Sequence, residues 1–211
     1  MWHTPEGIGV LKSSGITDAA GLKGKTVAAG AGTSDLATFP AFLAASDVAQ
    51  GMVKVQQVTP GSSNSLMYAK QVDASVNYVQ TFAQPPAPVA FLPYYKAGLN
   101  GYGTVIITNR SWLSSHADDV RAFLRATGQG LSYTLSHSDT AASYVAAAAN
   151  RPADYYAAEL PLLKPYWTLP AGTTFGRMDA STWSDMIQRL EKYAHMPSIN
   201  PSTVFTNDYI G

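Results

Sequence analysis

The stretch VAAGAGTSDLATFPAFLAA, residues 27 to 45, holds residue types suited to gripping a small polar group. An apolar run breaks at a Gly, Thr, Ser and Asp cluster and resumes as a helical pattern, so the chain turns from a strand into a helix near Gly30 to Ser34. Such a turn exposes backbone N–H groups at the positive end of a helix dipole, which favours an anion or carboxylate. Gly32 lets the backbone bend, and Thr33 and Ser34 add hydroxyl donors. Asp35 is acidic and repels a nearby anion unless it caps the helix or turns away. The competing reading is a plain strand-to-helix turn with Ser34 as N-cap.

TPGSSNSLMYAKQVDASVNYV, residues 59 to 79, repeats this logic. Pro60 and Gly61 make a turn, one of Ser62, Ser63 and Asn64 caps a short helix, and the chain re-enters a strand through Asp73 and Ala74. Asp73 reads as a local cap in preference to a ligand contact, since capping needs no ligand. LPYYKAGLNGYGTVIITN, residues 92 to 109, sets Tyr94, Tyr95 and Tyr102 beside paired glycines, where Asn100 to Gly103 forms either a hinge or a surface turn. Phe39, Tyr95 and Tyr102 are candidate pocket walls.

Enzymatic chemistry finds little to use. There is no cysteine, which excludes thiolate nucleophiles, disulfides and Cys-based metal sites. His3, His116, His137 and His195 show no metal-ligand spacing, so no metal site is expected. No nucleophile elbow, phosphate loop or complete dinucleotide fingerprint is present, so neither a catalytic residue nor a cofactor is expected. A Ser-His-Asp arrangement around Ser63 leaves an esterase-like hydrolase as an alternative.

These residues need a scaffold, and 211 residues suffice for one large domain or two small lobes. In the first half, short β-type runs (KTVAAG, VKVQQV, ASVNYV, PVAFLPY, GTVIITN) alternate with helical ones (DLATFPAFLAAS, SLMYAKQ), the pattern of an α/β sheet covered by helices. The second half reads as helical. Val120, Phe123, Leu124, Thr127, Leu131 and Leu135 predict a helix with a core-facing stripe, interrupted at Gly128 and Gly130. Ser138 is a candidate cap, Pro161 and Pro165 are expected to end a helix that starts near Pro152, and Thr182 with Asp185 has capping-box spacing. Trp183, Met186, Ile187, Leu190 and Ala194 form one apolar face of that last helix. Lys plus Arg and Asp plus Glu are 14 each, and without a basic run a nucleic-acid partner is not expected. The few charged residues, 13% of the chain, suit a periplasmic or extracellular protein; the N-terminus MWHTPEGIGV lacks the features of a signal peptide.

GLKGKTVAAGAGTSDLATFPAFLAASDV, VKVQQVTPG, YAKQVDASV, the long run from Tyr95 to Val145, and FTNDYI resemble, in order and spacing, the solute-binding proteins of ABC importers. The likeness is to the branch that binds sulfonates, taurine, nitrate and thiamine-type pyrimidines, which includes the thiamine pyrimidine synthases. It implies a two-lobed Venus-flytrap fold of the periplasmic-binding-protein type. Residues 16–102 would be the second α/β lobe and 103–211 the mainly helical C-terminal part of the first, most of which is missing. A small-molecule ligand, sulfonate, nitrate, pyrimidine or aromatic acid, is implied, with an ABC permease as partner. A homodimer could complete the missing lobe, or the chain could be a dimerising relic without ligand. The resemblance also implies that Asn77, Tyr78 and Gln80 face the cleft. The expected ligand site is therefore Gly32, Thr33, Ser34, Ser63, Asn77, Tyr78 and Tyr102. The cysteine-rich segment and consumed histidine of the synthases have no counterpart.

Overall fold

The computed structural model describes residues 3–210. Strands β1 (Glu6–Leu11), β2 (Thr26–Gly30), β3 (Lys54–Val58), β4 (Ala74–Tyr78) and β5 (Val89–Pro93) form one sheet in the order β3-β2-β4-β1-β5. β2 runs parallel to β3 and β4, and β1 runs antiparallel to β4 and β5. Helix α1 (Asp35–Ala45) carries the chain from β2 to β3, and α2 (Ser63–Tyr68) carries it from β3 to β4.

The period of two along each strand sorts the core onto two faces. Ile8, Val10, Val27 and Val76 meet Phe39, Phe42 and Leu43 of α1, while Leu11, Ala28, Met67 and Phe82 form the core under α2. Parallel strands covered on both sides must be apolar on both sides, which is why β2 reads TVAAG without alternation.

β1 went unrecognised in the sequence, although every residue of EGIGVL is buried. Glycines obscure its pattern, and packing requires them. A Cβ at Gly7 would lie 2.6 Å from Phe91 Cζ, and one at Gly9 would overlap the Phe82 ring. The reverse error occurs at GTVIITN, expected to be a strand. It is irregular, with no ladder partner among the described residues, and Ile107 is 87% exposed. β-branched residues favour an extended backbone, but a strand exists only where another pairs with it.

The second half is helical: α3 (Arg110–Leu113), α4 (Ala117–Ser136), α5 (Ser138–Ala149), α6 (Ala153–Trp167) and α7 (Ala180–Ala194). α7 packs on α1, and α6 packs on the turn after β4 through Leu163, Tyr166 and Val79. Pro161 and Pro165 do not end α6 but lie within it. Each removes a helical donor, and burial of Leu163 and Tyr166 beyond the first proline favours continuing the helix. Gly128 and Gly130 do not interrupt α4; a Cβ at Gly128 would press on Phe175, 3.1 Å away. The α4 stripe is not core-facing. No α4 residue is buried, because no element of the described residues covers that side. Two expected caps also fail. Ser138 donates to Thr134 O, and Thr182 falls inside the first turn of α7, whose N-cap is Asp179.

Candidate functional site

The crossovers run in opposite directions, α1 from β2 out to β3 and α2 from β3 back past β2 to β4, so the strand order reverses between β2 and β4. A crevice opens outside the carboxyl ends of parallel strands at such a point. Because β1 is antiparallel to β4, its first residue, Glu6, lies at that same edge opposite Tyr78. Strand pleating divides the residues gathered there: Glu6 and Tyr78 point toward α1, Ser75 and Asn77 toward α2.

On the α1 face, much of the turn is closed from within. Gly30 N–H donates to Asp35 Oδ2 at 2.9 Å, Thr33 Oγ1 donates to Gly30 O at 2.8 Å, and Asp35 N–H donates to Thr33 Oγ1 at 3.3 Å. Thr33 thus uses its hydroxyl inside the turn. Gly32 has φ +71°, a left-handed conformation that favours glycine. Ser34 occupies the N-cap without a side-chain cap bond. The N–H groups of Gly32 and Ser34 donate to nothing among the described residues.

Beneath the turn lies a carboxyl group that the sequence reading passed over. Glu6 is 3% exposed, and Thr38 Oγ1 donates to its Oε1 at 2.6 Å. Burial, reinforced by the charge of Asp35 and opposed by the Thr38 bond, pushes the Glu6 pKa up to about 7. Burial also raises the Tyr78 phenol; the Ser34 hydroxyl opposes that rise, while Glu6 and Asp35 add to it. Since Gly7 pairs with Pro93, Tyr94 follows on the other side of Glu6. Tyr94 is fully buried, its ring stacked on Phe42 at 4.8 Å and its hydroxyl without a hydrogen-bond partner.

The α2 face is a polar network. Asn77 Nδ2 donates to Ser63 Oγ at 3.3 Å and to Asn64 Oδ1 at 3.2 Å, Ser75 Oγ donates to Asn64 Oδ1 at 2.8 Å, and Asn64 Nδ2 donates to Thr81 Oγ1 at 2.9 Å. Ser63 Oγ itself points at Val76 O, 3.3 Å away. Asn64 is the hub and was named in the sequence only as a cap; the structure gives it three side-chain partners on β4 and the turn beyond.

The edge therefore gathers Gly32, Thr33, Ser34, Ser63, Asn77 and Tyr78, divided between the two faces. Tyr102 lies elsewhere. Its hydroxyl accepts from Asp179 N–H at 2.6 Å and its ring packs on Trp183 at 5.8 Å, tying it to α7. Of the proposed walls, Phe39 is core, and Tyr95 stacks on His3 at 4.7 Å. Asp73 is not a local cap but ties two strands: its Oδ2 accepts from the sequence-distant Thr26 N–H at 2.8 Å, and Lys25 lies 3.5 Å from Oδ1. Glu6 escaped notice because its strand did; an acidic residue opening an apolar run was the available signal.

A mixed sheet with one antiparallel interior strand and a crossover reversal between β2 and β4 is the periplasmic-binding-protein type of fold, and solved structures agree. The periplasmic aliphatic sulphonate binding protein SsuA of Escherichia coli superposes with a TM-score of 0.72 at 20% identity, over 90% of this chain and 60% of that one. The alkanesulfonate-binding protein SsuA of Xanthomonas axonopodis pv. citri, bound to MOPS, gives 0.64 at 17% identity over 95% and 70%. An SsuA described as a putative sulfonate-binding protein, from Methylobacillus flagellatus KT, gives 0.57 at 12% over 94% and 62%. The chain thus spans 60% of the E. coli protein's length. Over residues 1–141 the sequence matches the NMT1/THI5 like family, and the chain belongs to it. No curated protein matches at a significant level.

Proposed function

We propose that this chain binds a small polar organic solute at the carboxyl edge of β2 and β4 and acts as the solute-binding component of an ABC importer, in the periplasm or outside the cell. The carrying observation is that Ser34 and Tyr78 on one face, and Ser63 and Asn77 on the other, meet the same carboxyl edge of the sheet at the crossover reversal. Family membership and the likeness to sulfonate-binding proteins support this reading. An acidic group of the solute would meet the Gly32 and Ser34 N–H groups, and Asn77 would orient the remainder. An ABC permease is the partner this role requires. A second copy of the chain is a further expected partner, supported by the exposed apolar residues near Ile107. Ser63 Oγ is directed at a main-chain carbonyl, so the hydrolase alternative gains nothing.

The test is a thermal-shift panel of sulfonates, nitrate, pyrimidines and aromatic acids. A ligand at 100 times its Kd stabilises by about 2.7 kcal/mol. Ser34→Ala and Tyr78→Phe are expected to weaken the binding of any hit about tenfold each, at about 1.4 kcal/mol per decade. A panel without hits, or hits indifferent to both substitutions, would remove the proposed site.

A further inference from the structure

We infer that two copies of the chain associate about a two-fold axis, the segment from Val105 to Thr108 pairing with its own copy and closing the apolar groove beside it. The inference rests on the second copy proposed above as a partner, and it names the surface and the mode of contact.

Val105, Ile106, Ile107 and Thr108 line an open groove of about 690 Å³, together with Trp112 and Phe123. The main-chain N–H and C=O groups of Val105 to Thr108 bond to nothing among the described residues. β-branched residues favour the extended backbone of a strand, and an unpaired segment of this kind is a template for another. A small apolar ligand could cover the side chains but would leave the row of amides unmet. Antiparallel pairing about a two-fold axis brings the segment against its own copy, so that each supplies the donors and acceptors the other lacks. The surface is large enough for this. Exposures of 87% for Ile107, 58% for Phe123, 48% for Ile106, 44% for Trp112 and 37% for Val105 leave about 550 Å² per copy, so two such faces clear the about 1,000 Å² that a specific interface needs. The charges fit as well. Asp119 and Arg177 line the same groove, are exposed and take no part in the ion pairs among the described residues. A self-complementary contact sets the acid of one rim against the cation of the other, and with a net charge of zero the copies do not repel one another.

Sedimentation velocity of the full chain between about 1 and 300 µM tests the contact, since an interface at the small end of the specific range is expected to dissociate at micromolar concentrations. The mass should rise from one chain to two and stop there. Ile107→Asp places a charge in the contact and Ile106→Pro removes a strand donor, and each should raise the dimer dissociation constant at least about tenfold. Val145→Asp, at an exposed position of α5 outside the groove, should leave it unchanged. Neither groove substitution removes a main-chain bond made within the chain, so circular dichroism should match the wild type. A second readout needs no variant: the groove is open to a hydrophobic dye in dilute solution and closed in the dimer, so dye fluorescence per wild-type chain should fall as the mass rises. One chain's mass at every concentration overturns the inference and removes the second copy as a partner. A dimer indifferent to both groove substitutions overturns it but leaves that partner standing, as does fluorescence per chain that stays constant while the mass doubles. A mass that grows past two chains marks an open-ended contact and overturns the two-fold arrangement. The solute site is tested separately by the ligand panel.

Discussion

Glu6 is a residue through which pH acts on this fold. Its folded pKa of about 7 lies above the ordinary 4.5, so the folded chain holds the proton more tightly than the unfolded chain does. Its stabilising contribution is therefore complete below pH 4.5 and is lost as pH rises toward 7. At 1.36 kcal/mol per unit the loss totals about 3 kcal/mol. Urea denaturation should show wild type weakening by that order between about pH 4.5 and pH 8, while Glu6→Gln flattens this part of the profile and is the more stable protein at the upper end. At Tyr94 the expected direction is upward. Tyr94→Phe removes a hydroxyl that is buried without a partner, and should raise stability by about 1 kcal/mol in the same assay, since an unmet polar group costs about 1–3 kcal/mol. A loss of stability would mean that the hydroxyl is bonded after all.

Among the elements, the tie between β2 and the start of β4 separates two interactions made by one side chain. Asp73 accepts from Thr26 N–H and also faces Lys25 across a half-exposed ion pair. Asp73→Ala should cost about 1–2 kcal/mol through the stranded amide, but Lys25→Ala less than about 0.5 kcal/mol, because exposed pairs contribute little. Chemical denaturation of both variants distinguishes them. β1 offers a second test. Gly9→Ala places a methyl group against Phe82, and overpacking of this kind costs about 1–3 kcal/mol. β2, β3, β4 and β5 were legible from short apolar runs between turn residues, and α1 from its pattern after the Gly-Thr-Ser turn. β1 was not, since two of its six residues are glycines whose role is to make room for aromatic rings.

Across the whole molecule, the two sides of the helical half differ. α6 and α7 bury apolar residues against the sheet half, while α4, the segment from Thr104 to Thr108 and the C-terminal stretch enclose an open apolar groove of about 690 Å³. Phe123 is 58% exposed at its side. A hydrophobic dye such as ANS should bind there. Phe123→Glu together with Ile107→Asp should cut the fluorescence at least by about half and leave stability within about 0.5 kcal/mol, as for surface changes. Unchanged fluorescence would place the dye elsewhere.

Residue order alone determined the α/β alternation, the helical second half and the positions of the polar turns at Ser34 and Ser63, because periodicity and turn chemistry act over a few residues. Only the tertiary structure decided what those turns face. Whether an amide is open to solvent depends on which distant side chain reaches it, as Asp73 reaches Thr26. Whether an apolar stripe becomes core depends on an element arriving to cover it, as α1 covers β1 and no described helix or strand covers the apolar stripe of α4. The acid cluster at Glu6 is of this kind. It exists because an antiparallel strand begins where parallel strands end, a coincidence of register that no local pattern encodes.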